Sequence, residues 1–275
     1  MVTETKTVAV IGAGTMGAAI AQVAAHAGYT VILRDVEESF LSRGEKSIEE
    51  SLARLLSKGT ITEADKIAII GRVSSTTQLE AIKNADIIIE AITEELQIKK
   101  ELFRALDEIA KPTAIFATNT SSLSVTEIAR ATKRPDKVAG MHFFNPVPIM
   151  KLVEVVRTAH TSEQTFRAVW ELAKKLGKEP IECKDTPGFV FNRLIIPYLN
   201  EAMWALYERV GSIEDIDKAM KLGGNMPIGP LQLLDLIGID VQLHACETLF
   251  HEFGDPKFRP CPLNRQMVRA GLLGR

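Results

Sequence analysis

His142 and Glu154 are 12 residues apart, on two stretches rich in β-branched and aromatic residues, 138–144 and 152–156. Asn145-Pro146-Val147-Pro148 joins them, and its prolines force an extended turn, so the two side chains fall on neighbouring strands. A carboxylate against one imidazole nitrogen fixes the tautomer and leaves proton exchange to the other nitrogen, the equipment of a general acid and base. Histidines also settle in cores and strand glutamates also face water, so this pair alone leaves both readings open.

A second set lies near the start of the chain. Val8, Val10 and Ile11 form a short strand-like run, and Gly12, Gly14 and Gly17 follow at the spacing that opens a helix over a bound pyrophosphate. Gly12 suits a sharp turn, Gly14 clears the backbone for a phosphate, and Gly17 allows close packing of helix on strand. Apolar residues at helical spacing run from Ala18 to Ala27, Gly28 ends the helix, and a second strand from Thr30 closes on Asp35. These residues form a βαβ nucleotide cradle. An acidic residue at that place accepts both ribose hydroxyls and repels a 2′-phosphate, which favours NAD over NADP. Arg34 beside it could pair with such a phosphate, so NADP stays as the weaker alternative.

The connection after Asp35 is longer than one crossover helix requires, and the next strand begins near Arg72. Residues 38–57 have helical composition, Lys58-Gly59 breaks them, and Thr62-Glu63-Ala64-Asp65 caps a second helix through Ile70. The spacing predicts an inserted helical hairpin standing off the sheet. Ser51, Arg54 and Lys58 share one face of its first helix, and Arg54 and Lys58 are like charges one turn apart whose repulsion an anion would relieve. Lys46 and Glu50 form an ordinary i,i+4 pair nearby, which speaks for a plain solvated face.

Further along, 86–91 is an apolar strand core of the kind buried in a parallel sheet, with Glu90 to Glu95 at its carboxyl end, where open α/β sheets bind ligands. A helix to about Ala110 and a strand at 114–118 lead to Asn119-Thr120-Ser121-Ser122. Ser124 with Glu127 reads as a capping box for the next helix, leaving Asn119 and Ser121 available to a ligand. A helix at 162–176 and a strand near 179–182 complete the alternation, and Asp185-Thr186-Pro187-Gly188 breaks it. Beyond, helical stretches at 189–209, 213–222, 230–250 and 262–272 predict a small all-α domain whose apolar surplus asks for a covering surface. The expected domains are 1–184 and 185–275.

The balance of the 275 residues, 46% hydrophobic and 25% charged, is that of a soluble globular protein. A net charge of −2 supplies no global field for nucleic acid or an anionic membrane, so neither is expected as a partner. Cys183, Cys246 and Cys261 are widely spaced and form no CxxC, which argues against disulfides or a zinc knuckle and for a reducing cytoplasm. No export signal or membrane span is read. His244, Glu247, His251 and Glu252 lack the second histidine of a zincin, and no metal site is expected.

Together, IGAGTMGAAIAQ, IIEAITEE, ATNTSSLSVTEIA, GMHFFNPVPIMKLVEVV, DTPGFVFNR and MPIGPLQLLDLIGID resemble the short-chain L-3-hydroxyacyl-CoA dehydrogenase family, and within it the bacterial 3-hydroxybutyryl-CoA dehydrogenases, nearly end to end. The resemblance implies a Rossmann-type, mostly parallel α/β domain with the inserted hairpin, then a smaller helical domain that serves substrate closure and homodimer contact. It implies NAD(H)-linked interconversion of acetoacetyl-CoA and 3-hydroxybutyryl-CoA by hydride transfer at C3, in short-chain acyl-CoA metabolism such as that of fatty acids and butyrate. By resemblance, His142 is the catalytic acid and base, Glu154 orients it, and Ser121 and Asn192 hold the substrate's oxygens. Gly12, Gly14, Gly17 and Asp35 match the cofactor cradle, with Glu94, Lys99, Ser121 and Asn145 at further cofactor positions. Ser51 and Lys58 match coenzyme A contacts, and Arg54 becomes an extra phosphate partner.

Two departures stand out. An asparagine-histidine-proline of many relatives reads Asn225-Met226-Pro227, and the family's lysine and glycine-aromatic tail would follow Arg275. Two other readings stay open beside this one. A β-hydroxyacid dehydrogenase would use a lysine-centred site, and a non-catalytic protein has precedent in a lens crystallin of the same family.

Overall fold

A computed structural model of the chain describes residues 5–275. Two compact units emerge, Met1–Asp185 and Thr186–Arg275.

The first unit is built on β1 (Thr7–Ile11), α1 (Thr15–His26) and β2 (Thr30–Arg34). The inserted α2 (Glu38–Ser57) and α3 (Glu63–Ile70) follow, then β3 (Val73–Thr76), β4 (Ile87–Glu90), α4 (Leu96–Ile109), β5 (Ile115–Thr118) and α5 (Val125–Ala129). Strands β6 (Val138–Phe143) and β7 (Leu152–Arg157), helix α6 (Glu163–Lys175) and β8 (Glu179–Lys184) complete it. The eight strands lie in the order β3-β2-β1-β4-β5-β6-β7-β8. All neighbours are parallel except β6 and β7, so the expected mostly parallel sheet is present. Strand order reverses between β1 and β4, and the carboxyl ends of those strands open the crevice where such sheets bind dinucleotides. The runs Val8 to Ile11 and Ile87 to Glu90 are buried on both faces, as central parallel strands require.

The inserted hairpin packs on α1. Leu41, Ile48 and Leu52 of α2 join Ile20, Ala21 and Ala24 of α1 in one apolar core. Gly44 permits this approach, because a Cβ there would come within 2.8 Å of the Ala13 carbonyl oxygen. The second hairpin helix starts as expected, with Thr62 and Asp65 forming a reciprocal capping box.

At α5 the expected capping box is only half made. Ser124 Oγ accepts the Glu127 N–H at 3.2 Å, but the Glu127 carboxylate lies 3.7 Å from Lys100 Nζ instead of reaching back. The remaining donors go to Asp185, whose carboxylate accepts from the Val125 N–H (3.0 Å), the Thr126 N–H (2.7 Å) and the Ser124 hydroxyl (3.1 Å). Those bonds anchor the end of the first unit.

The second unit contains α7 (Phe191–Tyr207), α8 (Ile213–Gly223), α9 (Pro230–Ile237), α10 (Ile239–Phe253) and α11 (Pro262–Arg269). The stretch expected as one helix over 230–250 is two, because Gly238 takes φ +105° and interrupts the helix between α9 and α10. Leu199, Met203, Leu231, Leu234 and Cys261 centre its core. Among the described residues no helix is long and apolar enough to cross a membrane, and no group of three or more His, Cys, Asp or Glu could hold a metal ion.

All three cysteines are free and buried. Burial pushes the Cys183 and Cys246 thiols up to about 12 and raises Cys261 as well, which leaves almost no thiolate at neutral pH. The native protein should therefore leave an aromatic disulfide reagent unreacted at pH 8 and release three thiols only in denaturant. A fast-titrating thiol in the native protein would contradict this packing.

Candidate active site

The glycine turn between β1 and α1 has the geometry its spacing demands. Gly12 sits at φ +103°, and a Cβ there would lie 2.5 Å from the Ala91 carbonyl oxygen; a Cβ on Gly17 would strike the Gly12 carbonyl oxygen at 1.8 Å. Gly14 has ordinary backbone angles, and a Cβ there would meet no protein atom within 4 Å. Its value is the open space above the first turn of α1. No side chain caps that turn, so its N–H groups face a cradle suited to a pyrophosphate.

Asp35 directly follows β2, beside this turn. Its Oδ2 accepts the Ala13 N–H at 2.6 Å and its Oδ1 the Val36 N–H at 2.6 Å. The residue expected to read a ribose therefore also holds the glycine turn in shape. Arg34 Nε donates to the Thr77 carbonyl (3.3 Å), which ties its guanidinium to the chain beyond β3.

At the carboxyl ends of β4 and β5 the structure gathers residues that spacing could not join. Lys99, 1% exposed, lies between Glu90 Oε1 (2.5 Å) and Glu94 Oε2 (3.3 Å). Glu90 is fully buried and also accepts from the Thr118 hydroxyl (2.6 Å) and the Ile92 N–H (2.8 Å). Glu94 Oε1 receives the Thr120 hydroxyl (2.6 Å) and the N–H groups of Ser121 (2.8 Å) and Ser122 (3.2 Å). Burial acts to raise the Glu94 carboxyl, but the Lys99 charge and the bonds from Thr120 and Ser121 together hold it below the usual carboxylate range. Ser121 is thus fixed by Glu94. Asn119 also has a structural bond, its Oδ1 accepting the Phe143 N–H at 2.9 Å and binding the end of β5 to β6.

His142 and Glu154 face each other directly in the antiparallel β6–β7 register. Nδ1 lies 2.7 Å from Glu154 Oε2, with the histidine 6% exposed and the glutamate fully buried. The Phe144 ring stands 4.5 Å from the imidazole. A carboxylate so placed accepts from Nδ1–H, so proton exchange falls to Nε2.

Ser51, Arg54 and Lys58 line a cleft of about 270 Å³ shared with Thr15 of α1 and Asn145 of the loop between β6 and β7. Neither Arg54 nor Lys58 has a carboxylate partner among the described residues, and no acidic residue lines the cleft. The loop wall is held from behind by Lys178, 7% exposed, whose Nζ donates to the carbonyls of Val147 and Met150 (2.9 Å to the latter). The sequence carries no signal for Lys178, because a lone lysine before an edge strand looks solvent-facing. Asn192 lies in the second unit, on the first turn of α7, so the candidate set is divided between the units.

The family model for the 3-hydroxyacyl-CoA dehydrogenase NAD-binding domain matches residues 7–186, and that for the C-terminal domain of the same family matches 188–275. The chain is 51% identical over 266 residues to a probable 3-hydroxybutyryl-CoA dehydrogenase of Deinococcus radiodurans, covering 97% of this chain and 95% of that protein. It is 51% identical over 267 residues to the 3-hydroxybutyryl-CoA dehydrogenase of Clostridioides difficile, with coverage of 97% and 95%. Among solved structures, the (S)-3-hydroxybutyryl-CoA dehydrogenase of Ralstonia eutropha superposes with a TM-score of 0.96 at 47% identity, covering 99% of this chain and 96% of that one. With a cofactor cradle that fits its sequence and both family models matched across nearly its whole length, the chain belongs to the 3-hydroxyacyl-CoA dehydrogenase family.

Proposed function

We propose that the protein is an NAD-dependent dehydrogenase that interconverts acetoacetyl-CoA and 3-hydroxybutyryl-CoA. The observation that carries the proposal is the buried 2.7 Å contact of Glu154 with His142 Nδ1. Bound NAD(H) supplies or takes the hydride at C3. The chain's own residues manage the proton: His142 gives one from Nε2 to the forming alkoxide in reduction and takes one from the 3-hydroxyl in oxidation. Glu154 holds the ring in the tautomer that makes Nε2 the exchanging atom and stabilises the imidazolium form. Ser121, fixed by Glu94, and Asn192 of the second unit orient the substrate oxygens, an effect commonly worth about 2 to 4 kcal/mol of barrier per well-aimed donor.

The acid-free cleft beside Ser51, Arg54 and Lys58 suits the phosphates of coenzyme A, for which paired cations give charge-assisted bonds. Asn145 on its far wall would link that cleft to the cofactor. The helical unit would form the homodimer contact, a role supported by exposed apolar residues such as Val210 and Leu222, each 75% exposed. Three buried free thiols agree with action in a reducing cytoplasm.

The purified protein should oxidise NADH rapidly with acetoacetyl-CoA and NADPH far more slowly. His142→Gln should lower kcat about 100- to 10,000-fold with little change in NADH affinity. Absence of turnover in folded protein that binds NADH, or a fully active His142→Gln, would reject the assignment. Asp35→Ala should weaken NADH binding and narrow its advantage over NADPH, while NADPH binding does not improve in full because the Ala13 N–H also loses its acceptor. An unchanged NADH to NADPH ratio would remove Asp35 from cofactor discrimination.

A further inference from the structure

We infer that Glu90 biases the cofactor site toward the oxidised, cationic nicotinamide. The inference rests on the NAD assignment above and concerns a residue that no expected role covers. The glycine turn and Asp35 lie on the β1–β2 side of the point where strand order reverses, and there they would take the pyrophosphate and the adenosine ribose. The nicotinamide half must then run to the other side, over the carboxyl ends of β4 and β5. Glu90 is the last residue of β4, paired in register with Ile11 and Thr118, and the backbone just beyond it, at Ala91, abuts Gly12.

Hydrogen-bond directions define the charge there. Glu90 Oε1 accepts from the Lys99 ammonium and the Ile92 N–H, and Oε2 accepts from the Thr118 hydroxyl, whose oxygen in turn accepts the Thr120 N–H at 3.3 Å. Glu90 thus faces an ammonium, a backbone N–H and a hydroxyl, the surroundings of a hydrogen-bond acceptor. Glu94 likewise accepts from Lys99 and from the 120–122 segment. Counted in their ordinary ionised forms, Glu90, Glu94 and Lys99 sum to a net charge of −1. Glu90 is 0% and Lys99 1% exposed, so that pair is weakly screened by solvent or salt, whereas the Glu94 side chain is 36% exposed and more strongly screened. The oxidised and reduced cofactors differ by one positive charge on the nicotinamide ring. A fixed negative charge beneath that half of the crevice stabilises the oxidised form, which a neutral cluster would not do.

A purely structural role for Glu90 would change the affinities for NAD+ and NADH together, so their ratio is the readout. Dissociation constants for both, without substrate, would be measured by calorimetry and NADH fluorescence for wild type, Glu90→Gln and Thr118→Val. Glu90→Gln keeps the shape and removes the charge, and the ratio Kd(NAD+)/Kd(NADH) should rise about five- to tenfold. Thr118→Val removes a hydrogen bond without altering charge and should leave the ratio within twofold of wild type. Should Glu90→Gln fail to fold, Glu94→Gln neutralises the same cluster and should raise the ratio in the same direction. A ratio unchanged in the charge-neutralised variant, or raised equally by Thr118→Val, would overturn the inference. Wild-type protein that binds neither form would instead overturn the cofactor assignment.

Discussion

A fully buried carboxylate must be paired, because removing it from water without a partner costs several kcal/mol. Glu154 meets that demand through His142, directly across an antiparallel strand pair, with 2.7 Å between Oε2 and Nδ1. Much of the site follows from this one constraint. The register of β6 and β7 must hold to the residue, since a slip of one strand by one residue would put the two side chains on opposite faces of the sheet. The β6–β7 loop is then fixed at both ends. Lys178 and the Pro146 carbonyl, which accepts the N–H groups of Ile149 (3.0 Å) and Met150 (2.9 Å), shape what lies between. Because Asn145 and Pro146 also wall the cation-lined cleft, the strand pair that orients the imidazole also shapes that cleft.

The rest of the first unit applies the same economy at the carboxyl ends of its strands. Backbone groups there run out of ladder partners, and side chains take over. Asp35 holds the glycine turn, Asn119 ties β5 to β6, Glu94 gathers the 120–122 segment, and Asp185 caps α5. Polar residues that look like a row of candidate ligands are thus divided between those that hold the edge and those that can face a bound molecule. Burial of Lys99 between two carboxylates is stable only because all three groups are mutually satisfied.

Sequence patterns captured what depends on local periodicity and fixed motifs. The glycine turn, the boundaries of α2, the cap at Thr62 and the facing strands of His142 and Glu154 all follow from residue type and short spacing. Long-range pairing was not legible. Nothing near Asn119 indicates that the Phe143 N–H will take its side chain 24 residues on, and nothing near Ser124 indicates that Asp185, 61 residues on, will complete its cap. In sequence Glu90 is only the end of a strand, and its surroundings form only when Lys99 and Thr118 arrive from other elements. Gly44, an unremarkable glycine in a helical run, gains meaning from the Ala13 carbonyl beneath it. The break at Gly238 leaves no mark in the sequence because the apolar spacing continues across it.

The most direct test of the central claim is the tautomer of His142 in the resting protein, observed by nitrogen-15 NMR of histidine-labelled samples, with His142→Gln used to assign its signals among the five histidines. Glu154 as carboxylate partner predicts that the neutral imidazole carries its proton on Nδ1 and leaves Nε2 unprotonated, with that preference lost in Glu154→Gln. A proton on Nε2 and a bare Nδ1, unaffected by Glu154→Gln, would contradict the account of how this strand pair prepares its proton carrier.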